Sequence, residues 1–167
     1  MYTFELHRLT FKVEHHPDFD ADAPWDQCEL LGSVDDGNRS KRPGEIVINH
    51  DRSGWRRFYD FAGAVAKARA EGLPGERAAE AARRECDWLR GWCRDEWNYI
   101  GVTVTLLDAE GNPTEYSDSC WGVEDNGDHA QVIANDLALT IGARVNWDDV
   151  IEVPARTIVL RAPKVAA

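Results

Sequence analysis

The chain opens with apolar side chains at alternate positions, and the phase of this alternation changes once. The apolar positions of the two runs are Tyr2, Phe4 and Leu6, then Leu9, Phe11 and Val13. Successive side chains of a strand point to opposite faces of a sheet, so a change of phase needs a bulge or a reversal. The pattern predicts strand structure interrupted by such a feature near His7 and Arg8.

The stretch that follows is rich in Asp, Gly, Pro and Ser, and its apolar residues are scattered. The turn signals "DDGN" and "RPG" fall within it. We expect an acidic loop over about 15–43, with a short strand possible around Glu29–Val34. The segment "EIVIN" then predicts a brief strand over Glu45–Asn49.

Two helices are predicted in the middle of the chain. Apolar residues recur at helical spacing over about 53–71, with Asp51 or Ser53 as the cap and Gly72 at the end. A second helix is expected over about 74–98, and its apolar stripe covers nearly half of its circumference. A stripe this wide indicates packing against two elements, or a tryptophan edge that is left for a partner.

The last third predicts a hairpin, a helix and a strand. Alternating apolar residues on either side of "DAEGNP" predict a β-hairpin over about 99–123. A third helix is expected over about 128–141, and a last strand over Thr157–Arg161. This order of elements predicts the α+β class, with a mainly antiparallel sheet packed against about three helices in a single domain, 1–167.

Charge narrows the possible partners. The formal net charge is -11, and residues 101–153 hold eleven carboxylates with Arg144 as the one basic residue. A folded surface of this composition repels nucleic acid and attracts basic surfaces. We therefore expect no direct binding of nucleic acid. No signal peptide or membrane-spanning apolar run is recognisable, so we expect a soluble protein of the bacterial cytoplasm.

The segment "HHPDFDADAPWD" raises the question of a metal site. Five places of a twelve-residue calcium loop are matched by Asp18, Asp20, Asp22, Asp26 and Glu29. The sixth place, which favours glycine, is Ala23, and Pro24 after it disfavours the required backbone conformation. His15 and His16 would point to opposite faces of a strand, so at most one could serve a given site. The pattern favours a solvated acidic loop, and no metal or cofactor is predicted.

Four cysteines show no zinc-binding spacing, and no nucleophile motif or phosphate-binding glycine loop occurs. Cys120 in "DSCWG" and His129 can be imagined as a thiol pair. The neighbouring Asp118 and Glu124 disfavour the negatively charged thiolate that a nucleophile needs. We expect no enzyme, and a metal-dependent or thiol enzyme that uses the His and Asp cluster is the alternative.

Two segments carry a resemblance to known proteins. "MYTFELHRLTFKVEHHPD", and "DSCWGVED" in the hairpin that starts "YIGVTVTLLDAEGNP", resemble parts of small acidic proteins encoded by bacteriophages and related mobile elements. The resemblance covers roughly a third of the chain and transfers no functional residue. It implies a context, because small accessory phage genes frequently encode proteins that disarm host defences.

Charge and context together predict a phage or mobile-element inhibitor of a bacterial defence system, with CRISPR interference as the first target and restriction as the second. An acidic face would dock on the basic groove of a host protein or ribonucleoprotein complex, while exposed tryptophans would anchor it. The predicted partner-binding residues are Asp108, Glu110, Glu115, Asp118, Glu124, Asp125, Asp128, Trp88, Trp92 and Trp121. A phage structural or assembly adaptor is the remaining alternative.

Overall fold

The computed structural model of the chain describes residues 1–49 and 55–147. Within those ranges the strands are β1 (Tyr2–Leu6), β2 (Leu9–Pro17), β3 (Val34–Gly37), β4 (Glu45–Val47), β5 (Arg56–Asp60), β6 (Tyr99–Leu107) and β7 (Pro113–Glu124). The helices are α1 (Pro24–Gln27), α2 (Phe61–Ala70), α3 (Gly75–Trp92) and α4 (His129–Arg144). The strands form two antiparallel sheets, which confirms the predicted α+β class and the single domain. No helix in the described ranges is both long and apolar enough to span a bilayer.

The first sheet has the strand order β1-β2-β6-β7. Its first two strands pair up to Leu6 and Leu9, so only His7 and Arg8 form the turn between them. Both turn residues have a positive φ, 52° and 69°, as the right-handed twist of a two-residue hairpin requires. The reversal predicted from the change of apolar phase is therefore confirmed. The hairpin predicted over 99–123 is also confirmed, as β6 and β7.

One face of the first sheet is packed against α4, and the other carries polar side chains. The buried residues of this core are Leu9, Phe11, Val13, Ile100, Val102, Val104, Leu106 and Val123 from the sheet, and Ala130, Ala134, Ala138 and Ile141 from α4. The opposite face of the sheet presents Thr10, Lys12, Glu14, His16, Thr103, Thr105, Ser117 and Ser119. This division follows from the alternation of side chains along each strand.

The second sheet, ordered β3-β5-β4, corrects one sequence prediction. The helix predicted over 53–71 starts only at Phe61, because Arg56–Asp60 form the central strand β5. Phe58 and Tyr59 are both buried although they are adjacent, as expected for a strand covered on both faces. The side chain of Asp60 caps α2 by accepting a hydrogen bond from the Gly63 amide at 2.9 Å.

The other boundaries differ from the prediction by a few residues each. The acidic loop over 15–43 is interrupted, because β2 continues to Pro17 by pairing with β6, and α1 and β3 follow. The strand predicted at Glu29–Val34 lies at Val34–Gly37, and the strand predicted over Glu45–Asn49 ends at Val47.

Two helices end at residues other than those predicted from the sequence. The helix predicted over 74–98 ends at Trp92, beyond which Asp95 adopts a positive φ of 57°. The helix predicted over 128–141 extends to Arg144. The candidate caps Asp51 and Ser53 and the strand Thr157–Arg161 lie outside the described residues.

A charged cluster centred on Arg39 connects the start of β3 with β4. The guanidinium contacts both carboxylate oxygens of Glu45 at 2.7 and 2.9 Å and Asp35 at 2.8 Å, and it lies 3.8 Å from the centre of the Phe58 ring. The hydrogen bonds from Arg39 lower the pKa of Glu45 to about 2. Glu45 therefore stays ionised well below the pH at which an ordinary glutamate takes up a proton.

This cluster predicts a pH-dependent contribution to stability. The depressed pKa of Glu45 means that its contribution is fully present above pH 4.5 and is lost as the pH falls through about 2. Glu45→Gln should lower the free energy of unfolding at neutral pH and flatten its decline over that acid window. Urea unfolding of both proteins at a series of pH values measures this. Parallel curves for the two proteins would contradict the assignment.

Candidate protein-binding surface

The seven carboxylates predicted to bind a partner are spread along β7 and do not form one continuous surface. They fall into a turn group of Asp108, Glu110 and Glu115, a central Asp118, and a far group of Glu124, Asp125 and Asp128. The twelve residues of β7 span about 35 Å, so its two ends are well separated. Each group has a different set of contacts.

The turn group is partly occupied in building the hairpin. The Asp108 carboxylate accepts hydrogen bonds from the amides of Asn112 at 2.7 Å and Glu110 at 3.0 Å, and from the side chain of Asn112. These bonds lower the pKa of Asp108. Glu110 and Glu115 are exposed. Asp108 thus has a structural role, and the two exposed glutamates remain available at this end.

Asp118 points to the opposite face of β7 from Glu115, towards α4. Its carboxylate forms an ion pair with Arg144 at 3.1 Å. Arg144 is the single basic residue between 101 and 147. The sequence prediction placed Asp118 among the partner-binding residues, and the structure shows its charge compensated within the chain.

The far group surrounds the N-terminus of α4. Glu124 accepts a hydrogen bond from the Trp88 indole at 3.1 Å and lies 3.8 Å from the imidazole of His129. Asp125 accepts a hydrogen bond from the Asn98 amide at 2.8 Å. Asp128 occupies the N-cap position of α4 and is exposed. Glu124 is therefore largely occupied, whereas Asp125 and Asp128 are exposed to solvent.

The structure brings the N-terminal acidic loop against this far group. Asp18 is fixed at both its backbone and its side chain, because its amide donates to the Tyr99 carbonyl at 3.1 Å and its carboxylate accepts from the Gly122 amide at 3.0 Å. At the other end of the loop the Cys28 thiol lies close to Tyr99, whose pKa is raised mainly by burial. The exposed carboxylates at this end of the molecule, here named the acidic end, are Asp20, Asp22, Asp26, Asp125 and Asp128.

Two of the three predicted tryptophan anchors are engaged within the fold. Trp88 stacks on Trp97 with ring centroids 4.9 Å apart, and Trp92 meets the ring of Trp25 edge-on at 5.0 Å. Both are half-buried, so they contribute to packing around the end of α3. Trp121, in contrast, is 55% exposed.

A second exposed aromatic, Phe19, was not predicted. It lies between Asp18 and Asp20 in the acidic loop and is 90% exposed. A phenylalanine in a polar loop gives no signal in the sequence, because only the fold shows that nothing in the described residues covers it. Phe19 and Trp121 are thus the aromatic side chains available beside the acidic end.

The charge of the chain is divided unevenly between its two sheets. Residues 1–29 and 95–147, which form the first sheet, α4 and the acidic loop, hold seventeen carboxylates and three basic residues. Residues 30–49 and 55–94, which form the second sheet with α2 and α3, hold nine carboxylates and twelve basic residues. The negative potential is therefore concentrated on the side that carries the acidic end.

Histidine and cysteine side chains are the sequence candidates for a metal site or a catalytic thiol. His15 lies near the Tyr2 ring and His16 near the Trp121 ring, on opposite faces of β2. Cys120 is half-buried against the first core, with its sulfur 3.8 Å from the Trp121 carbonyl oxygen. Among residues 1–49 and 55–147, no three His, Cys, Asp or Glu side chains converge as metal ligands would. Burial raises the pKa of the thiols of Cys86 and Cys93.

No protein-family model, curated protein or solved structure matches this chain. The features of the chain that bear on its function are the acidic end, the two exposed aromatics beside it and the uneven division of charge.

Proposed function

We propose that this chain is a non-enzymatic inhibitor of a bacterial defence system, encoded by a phage or mobile element. It binds a basic, nucleic-acid-binding surface of the defence complex and blocks it. CRISPR interference complexes are the first class of target, and restriction enzymes are the second. The observation that carries the proposal is the junction of the acidic loop with the end of β7, held by the bond between Asp18 and Gly122.

This junction gives the surface the two properties that such an inhibitor needs. Several exposed carboxylates at one end attract a lysine- and arginine-lined groove and speed the encounter with it. Exposed Phe19 and Trp121 add apolar contact, which slows dissociation once the surfaces meet. The carboxylates are fewer and less regular than the charges of DNA, one per about 1.7 Å, so the surface supports occlusion of the groove more than imitation of a duplex.

A phage challenge tests the proposal in cells. Bacteria with active CRISPR interference, and a parallel strain with restriction alone, would express the chain and be infected with a targeted phage. We expect plaquing to be restored by the wild type and lost for a variant that neutralises exposed carboxylates of the acidic end. That variant carries Asp20→Asn, Asp22→Asn, Asp26→Asn and Asp128→Asn. Asp128 makes no side-chain capping hydrogen bond to α4, so asparagine at this position removes none.

A matched control separates the acidic end from net charge. The control removes the same number of exposed carboxylates elsewhere, by Glu5→Gln, Glu110→Gln, Glu115→Gln and Asp136→Asn. It should protect the phage as well as the wild type does. Equal loss in both variants would show that overall charge, rather than the acidic end, is responsible. Failure of the wild type in both strains would overturn the proposed function.

A further inference from the structure

The Trp121 ring lies flat on the backbone of the neighbouring strand. A Cβ atom at Gly101 would come within 2.5–2.7 Å of three atoms of the indole, so the ring occupies the space that any other side chain at 101 would fill. Gly101 is buried beneath it, while Trp121 keeps 55% of its surface exposed. The indole is therefore supported by β6 at Gly101, and just over half of the Trp121 surface remains exposed to solvent.

The groups around this ring are polar or negative. The His16 imidazole lies beside it, with ring centroids 6.3 Å apart and planes inclined by 28°. The carboxylate of Asp18 is held by the backbone amide of Gly122, the residue that follows Trp121. Farther along the same face, Glu14 forms an ion pair with Lys12 at 2.9 Å, so this pair carries no net charge. Within the described residues Asp18 forms no ion pair, and its carboxylate is held by a neutral amide.

From this arrangement we infer that Trp121 is the recognition site for an arginine side chain of the basic partner, an inference that rests on the proposed function. A guanidinium is planar and weakly hydrated, so it stacks on an indole face and can still direct its N–H groups to a carboxylate such as Asp18. A lysine ammonium is compact and strongly hydrated, and it makes the same contact less well. The base of a nucleic acid could also stack on Trp121, but the carboxylates of the acidic end would repel the phosphates of its backbone.

Two peptides of equal charge, nona-arginine and nona-lysine, test this inference. Each would be labelled with a fluorophore and titrated with the whole chain by fluorescence anisotropy. The wild type should bind nona-arginine more tightly than nona-lysine. The ratio of these two affinities should be about fivefold larger for the wild type than for a variant that lacks the indole. Trp121→Ala should remove this extra preference. Gly101→Ala should do the same with the indole still present, because the added methyl group displaces the ring.

Trp55 provides the matched control, because it is 49% exposed and precedes β5 in the other sheet. Trp55→Ala should keep the full preference for arginine, and thermal melting would verify that each variant is folded. An unchanged arginine preference in Trp121→Ala would overturn the inference, while tight binding through the acidic end would leave the proposed function standing. Absence of binding to either peptide by the wild type would contradict both.

Discussion

Replacing Glu85 with alanine should lower the free energy of unfolding by about 3 kcal/mol. Glu85 lies on α3, and its carboxylate accepts hydrogen bonds from the amides of Leu31 at 2.8 Å and Gly32 at 3.0 Å. It also accepts one from the Tyr59 hydroxyl at 2.6 Å. One carboxylate thus joins three segments around the apolar cluster of Ile48, Tyr59, Ala64, Ala82, Cys86 and Leu89, which lies between the second sheet and the helices α2 and α3.

The size of the effect follows from the donors that would be left behind. Gly32 and Tyr59 are buried, so their N–H and O–H groups could not regain water after Glu85→Ala. Each unsatisfied buried donor costs about 1–3 kcal/mol. Glu85→Gln keeps one acceptor oxygen and should fall between the alanine variant and the wild type.

Urea unfolding measures this, with Glu80→Ala as the control on the same helix. Glu80 is exposed, so its replacement should change the free energy of unfolding by less than about 0.5 kcal/mol. Equal stability of Glu85→Ala and Glu80→Ala would contradict the role assigned to Glu85.

The second large effect concerns binding. The quadruple variant of the acidic end, with asparagine at 20, 22, 26 and 128, should bind nona-arginine about 30-fold more weakly than the wild type at low salt, because four exposed charge contacts are lost. The control variant, neutralised at 5, 110, 115 and 136, should lose less than about threefold at moderate salt, where charges are screened over about 8–10 Å and only those close to the bound peptide contribute.

Fluorescence anisotropy at low and moderate salt measures both variants. The wild type should lose affinity as salt rises, because the contacts are exposed and screened by ions. The acidic-end variant should show a weaker dependence on salt. Equal losses in the two variants at every salt concentration would contradict a localised binding surface.

The parts of the fold that are specified locally could be predicted from the sequence. The alternation around His7 and Arg8 and the "DAEGNP" turn between β6 and β7 each determine a hairpin over a short stretch of chain. The apolar period of α4 likewise predicted a helix, although its last turn to Arg144 was missed.

β5 could not be predicted, because its sequence fits two structures. Trp55, Phe58 and Tyr59 satisfy helical spacing together with the residues of α2 that follow. The strand forms because Arg56–Asp60 pair on both sides, with β3 and β4, which are distant in sequence. Tertiary pairing therefore overrides the local period, and only the pairing register could have revealed this.

The candidate site was predictable in composition but not in arrangement. The sequence indicated two acidic segments, yet Asp18 and Gly122, whose hydrogen bond joins these segments, lie 104 positions apart in the chain. The exposure of Trp121 depends in the same way on Gly101 in the adjacent strand. Compensation of Asp118 by Arg144 also depends on how α4 lies on the sheet. No local pattern encodes these long-range contacts.

The most direct test is to map where a basic ligand binds by NMR. Nona-arginine would be titrated into the ¹⁵N-labelled chain, and the shifts of backbone amides and of the Trp121 indole N–H would be followed. The largest changes should fall on residues 18–28 and 121–128 and on that indole. Changes centred on the hairpin turn at 108–115, or spread evenly over the first sheet, would contradict the acidic end as the binding surface.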